Sequence, residues 1–172
     1  SGVGVALGGS VAVNVVSNKT LAYISASTIG TEANHVGAVT LNAVADAKIW
    51  ALTLAGSIAV GSGKDNFGGA LSGALAGSVN IVHNTVESRI TAASAVVSSG
   101  AVSMSATDST GIIANAFGGS LSVGAGKSGL AMAVGGSFAI NNIGNTARSY
   151  VDSSTLDSNG ALTIISRSDS SI

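Results

Sequence analysis

The chain has no cysteine, and only 9 % of its 172 residues are charged, against roughly 25 % in ordinary globular proteins. Without cysteine there are no disulfides and no thiolate metal sites. The net charge of −1 gives no electrostatic case for binding nucleic acid or anionic lipid. Aromatics make up 3 % of the chain, too few for the aromatic girdles of a membrane barrel. No apolar run approaches the roughly 20 residues of a spanning helix, because Ser, Thr, Asn and Gly interrupt every stretch, so no membrane insertion is expected despite a mean hydropathy of +0.54. There is no signal peptide. The chain opens inside a strand-like pattern and reads as a mature piece or a fragment of something longer.

What the sequence does have is alternation. In "WALTLAGSIAV", Trp50 to Val60, one parity carries Trp50, Leu52, Leu54, Ile58 and Val60 with one glycine, and the other only Ala, Thr and Ser. The same pattern runs through Val3 to Val13, Leu71 to Ile81 and Leu130 to Ile140. A period of two means strands with two unlike faces. No stretch has apolar spacing of three and four, so little or no helix is expected. Size suggests that the bulky parity fills a narrow interior. The small parity is then expected to meet a second layer at close range. Gly9, Gly56, Gly77, Gly119 and Gly136 recur on the bulky parity and suggest corners.

The chain also repeats itself. "NKTLAYI" from Asn18, "NTVESRI" from Asn84 and "NTARSYV" from Asn145 align. So do "GAVTLNAVADA" from Gly37, "GAVSMSATDST" from Gly100 and "GALTIISRSDS" from Gly160. A third set is "LGGSVAVNVV" from Leu7, "LAGSVNIV" from Leu75 and "VGGSFAINNI" from Val134. These give nearly three copies of a unit of roughly 63 residues. A weaker period of roughly 20 lies within it and suggests solenoid rungs, three per repeat. The expected fold is therefore all-β: one β-solenoid domain over residues 1–172, a parallel β-helix with rungs of roughly 20 residues.

The candidate chemical motifs fall short. "VGAGKSG" from Val123 lacks the glycine spacing of a phosphate-binding loop, and its partner "VGSGKDN" from Val60 has Asp65 in place of the serine. A turn between strands accounts for both. His35 and His83 sit at unrelated places in the repeat without acidic neighbours, so no metal or other cofactor is expected. Asp46, Asp108 and Asp169 follow the "GAV" strand and read as turn-formers rather than paired catalytic acids. No nucleophile elbow or general base stands out, and no enzymatic role is expected. Asn18-Lys19-Thr20 fits a glycosylation sequon.

One strand concentrates polar and aromatic side chains. Thr20, Ala22 and Ile24, with their counterparts in the other repeats, have inward parity. The opposite parity offers a candidate contact surface: Lys19, Tyr23, Glu87, Arg89, Arg148 and Tyr150. It is either a solvated face that discourages sheet stacking or a surface for a glycan or another subunit, with Tyr and Arg as anchors.

Taken together, "GSVAVN", "NKTLAYI" and "GAVTLNA" resemble the repeat regions of large bacterial β-helical surface proteins, the filamentous-haemagglutinin-type adhesins and autotransporter passengers. The resemblance implies a secreted, cell-surface parallel β-helix serving adhesion or scaffolding, without catalytic residues. On that reading the chain is a structural module of an extracellular filament or adhesin. Its partners are further rungs, head to tail from the same polypeptide or from identical subunits, and conceivable ligands are glycans or a host or neighbouring cell surface. The alternatives are a glycan-binding module and, more remotely, a polysaccharide-active β-helix enzyme.

Overall fold

The computed structural model describes residues 1–64 and 67–172. Among them there is no helix. The ten strands are β1 (Gly2–Ser25), β2 (Thr28–Ile29), β3 (Val39–Ser62), β4 (Phe67–Thr91), β5 (Ala95–Ser98), β6 (Val102–Ala125), β7 (Ser128–Ile143), β8 (Thr146–Val151), β9 (Thr155–Ser158) and β10 (Leu162–Ser171). The period-two pattern thus made strands throughout.

Three sheets form. One has the order β1-β4-β7, with β8 also on β4. The others run β3-β6-β10 and β2-β5-β9. Ala95 pairs with Thr155, Val102 with Leu162, Thr85 with Thr146 and Thr28 with Ala95, all in parallel. Paired residues are therefore 60 to 67 positions apart. This corrects the expected rungs of roughly 20 residues. One full sequence repeat makes one layer, and no 20-residue spacing relates paired strands.

Contacts divide the chain into two compact units, each drawing on all three repeats. Unit 1 comprises residues 1–14, 49–80 and 112–142. Unit 2 comprises residues 15–48, 81–111 and 143–172.

In unit 1 two sheets lie face to face, and the small residues are inside. Gly4 and Gly8 of β1 lie against the carbonyls of Val60 and Gly56 of β3, and Gly118 of β6 lies against that of Gly136 in β7. A Cβ at any of these glycines would collide with backbone, so the sheets approach well inside the roughly 10 Å of ordinary stacked sheets. Ala51, Ala59, Ala74 and Ala76 fill the remaining space, and Ser10 Oγ donates to the Leu54 carbonyl at 2.6 Å. An amide ladder crosses the repeats: Asn14 donates to Asn80, and Asn80 to Asn141, each at 2.8 Å.

The bulky parity of unit 1 therefore faces outward, opposite to the expectation from size. Trp50 and Leu7 are each 82 % exposed and Ile58 is 68 % exposed. The recurrent glycines are not corners. Gly9, Gly56, Gly77, Gly119 and Gly136 all lie within strands, and the Phe138 ring covers Gly77. The expectation that the small face meets a second layer was correct, and that layer is the opposite sheet. The turn reading of "VGAGKSG" also holds, since Gly126 and Lys127 join β6 to β7. In its partner stretch, Asp65 and Asn66 lie outside the described residues.

Unit 2 is built the other way. Leu41, Ile90, Val96 and Met104, one from each of β3, β4, β5 and β6, form a buried cluster with Ile24, Val151 and Leu156 around it. Val86, Ala43 and Ala106 form a second cluster. The corners after β1, β4 and β8 use left-handed residues that are not glycine: Ala26, Ala92, Ala93 and Ser153 have φ of 48°, 61°, 53° and 49°. Serines tie these corners together. The Ser94 hydroxyl accepts from the Ser27 amide at 3.2 Å, and the Ser154 hydroxyl from the Ser94 amide at 3.1 Å.

Candidate functional site

The candidate contact surface lies in unit 2, where β1, β4 and β8 run side by side. The alternation expected there holds: Val86, Ser88 and Ile90 are buried, and Tyr23 and Arg148 are exposed. Parallel register then lines up equivalent positions of the repeat. Arg89 pairs with Tyr150, and Glu87 with Arg148.

Tyr23, Arg89 and Tyr150 come together as a row. The Arg89 guanidinium lies over the Tyr23 ring, 5.6 Å from its centroid, and Nη1 donates to the Tyr150 hydroxyl at 3.4 Å. The same Nη1 donates to Glu87 Oε2 at 3.2 Å. The hydrogen bond to Tyr150, with the attraction of Glu87, holds the Arg89 pKa above its ordinary value despite the opposing effect of desolvation. Arg89 is therefore a fixed cation, with its planar head held between two aromatic side chains.

Glu87 departs from the expected outward placement. At 9 % exposure it is buried, bonded by Arg89 and in register with Arg148 on β8. Lys19 is exposed on β1, four positions before Tyr23. Ala147, Arg148, Ser149, Tyr150 and Ser166 line a shallow groove beside the row. A planar cation between two phenols, with a second arginine nearby, can stack on a flat ring and hydrogen-bond hydroxyl or carboxylate groups.

A second polar cluster went unnoticed in the sequence. Asp108 is fully buried. Its Oδ1 accepts from Asn84 Nδ2 at 3.2 Å, and its Oδ2 accepts from Thr110 Oγ1 at 3.2 Å and from the side chain of Asn145. Asn145 Oδ1 in turn accepts from the Asn84 amide at 2.8 Å, and Asn84 Oδ1 has no partner among the described residues. The turn reading of the three aspartates is thereby corrected: Asp46, Asp108 and Asp169 all sit within strands. Nor are Asp108 and Asp169 equivalent, because Asp108 pairs with Ser168 and Asp169 with Ser109. The available signal was the match of Asn84 with Asn145, which register makes neighbours.

Among the described residues, no three His, Cys, Asp or Glu side chains gather closely enough to hold a metal ion. No helix there is long and apolar enough to cross a membrane. No family model matches the chain, and no curated protein or solved structure matches it either.

Proposed function

We propose that the chain is a structural module of an extracellular β-solenoid filament or adhesin, a parallel β-helix without catalytic activity, extended by further copies of its repeat. One observation carries this reading. The first repeat supplies one edge of all three sheets (β1, β2 and β3), and the last repeat supplies the other edge (β7, β9 and β10). Strand edges offer rows of N–H and C=O groups, and another layer of the same repeat has the geometry to pair with them. Such growth joins unlike surfaces and stays open, as in a filament. Electron microscopy of the purified chain tests it. Fibres, lost when Ile164→Pro and Ser166→Pro remove edge donors on β10, are the expected result. Monodisperse particles at high concentration overturn it.

A second reading is favoured by the Tyr23–Arg89–Tyr150 row. Its stacked cation and phenols suit a sugar ring with a carboxylate, so the module would bind acidic glycans. A glycan array with the parent chain and Arg89→Ala decides this. Binding that survives the substitution removes the row from the account.

A further inference from the structure

The outer face of β1, β4 and β7 in unit 1 is apolar, and nothing among the described residues covers it. We propose that it is a self-association surface, on which a second copy of the chain docks face to face about a two-fold axis.

The first argument is area. Thirteen large apolar side chains on this face are at least 40 % exposed. At roughly 100 Å² each, they equal or exceed the roughly 800 Å² per partner that a standard interface buries. Solvent-facing patches of this size are uncommon unless they serve association. Lys64 and Lys127 are the only charged side chains among the described residues of unit 1, and both lie at or beside strand ends.

The second argument is shape. Contacts set Leu7 beside Gly73, Gly73 beside Val134, and Leu75 between Gly9 and Gly136. Knobs and hollows thus alternate across the strands at these two levels, around a hollow of about 330 Å³ lined by Leu7, Gly73, Leu75, Val134 and Gly136. A two-fold axis lying across the strands at the level of Ala74 exchanges positions 73 and 75. It sets Leu75 of each copy over Gly73 of the other. On the flanking strands it sets Leu7 over Gly9 and Val134 over Gly136. The centre of the face is therefore complementary to itself, as an isologous interface requires.

The open edges argue against lipid as the occupant. β1 and β7 carry unpaired backbone groups along one edge each, and hydrocarbon offers them no partners.

The surface is distinct from the sheet edges of the proposed filament, so the two readings stand or fall separately. Sedimentation of the chain at micromolar concentration tests this one, with circular dichroism confirming the fold of each variant. Leu75→Glu is expected to weaken face-to-face association at least tenfold, while Leu54→Glu on the opposite face leaves it intact. Gly73→Leu is expected to break the dimer by filling the hollow. Adding Leu75→Gly to it should restore the dimer, because the axis exchanges these two positions. Association unchanged by Leu75→Glu, or a swapped pair that fails to recover, overturns the proposal. So does flotation of the chain with neutral phosphatidylcholine vesicles in place of self-association.

Discussion

The same long strands build two interiors with opposite rules. In unit 2 large apolar side chains fill the space between the sheets, and the charged groups lie outside except Glu87 and Asp108, which are buried with hydrogen-bond partners. In unit 1 the backbone of one sheet nearly touches the backbone of the other, glycine and alanine line the seam, and the large side chains point away. The difference is one of distance between sheets. At ordinary separation side chains must fill the gap. When carbonyls of one sheet occupy the Cβ positions of the other, only residues with little or no side chain fit, and anything bulky must turn outward.

Substitutions separate these rules. The largest effect is expected inside unit 1. Gly118→Val puts a branched side chain where the Gly136 carbonyl sits, and should cost about 4 kcal/mol or more in urea unfolding. In unit 2, Ile90→Ala opens a cavity in a fully buried cluster and should cost about 2 to 4 kcal/mol by the same measurement. Asp108→Ala takes one acceptor from each of Asn84, Asn145 and Thr110 and leaves the two amides only Thr110 Oγ1, a loss of about 2 kcal/mol. A gain is expected at the corner: Ala92→Gly relieves a left-handed alanine, and the melting temperature should rise by the equivalent of about 0.5 kcal/mol, net of glycine's greater freedom when unfolded. The smallest effect is expected at Ile58→Asp, within about 0.5 kcal/mol, because that side chain is exposed. A loss of several kcal/mol at Ile58 would restore the reading in which bulky residues face inward.

Much of this was legible. Alternation over Val3 to Val13 and Leu130 to Ile140 marked strands, and alignment of Asn18, Asn84 and Asn145 anticipated the register of β4 with β8. The inward parity of Val86, Ser88 and Ile90 could be read because Glu87 and Arg89 marked the other face. Unit 1 has no such marker within its strands, so the choice fell to size, and size misled. The glycines at positions 2, 4, 8 and 118 carried the true signal, since a run of glycine on one parity leaves room only for another backbone. The alignment of Leu7 with Leu75 was wrong by two residues, because a strictly alternating pattern looks the same after a shift of two. Contacts set Leu7 beside Gly73 instead. The Tyr23–Arg89–Tyr150 row was visible as a group, but the burial of Glu87 was not, because the strand that sets Arg148 beside it is placed by register.

The ladder of Asn14, Asn80 and Asn141 gives the stack a direction. Each amide nitrogen points toward the next repeat, and each amide oxygen receives from the one before. A stack built this way has a donor end and an acceptor end, which cannot be interchanged. An added repeat satisfies the ladder only when it arrives in the same sense as its neighbour, offering oxygen to the exposed nitrogen or nitrogen to the exposed oxygen. Side-chain polarity along the axis thus reinforces the parallel order of the backbone. A repeat docked upside down would meet donor with donor or acceptor with acceptor, and the ladder would reject it.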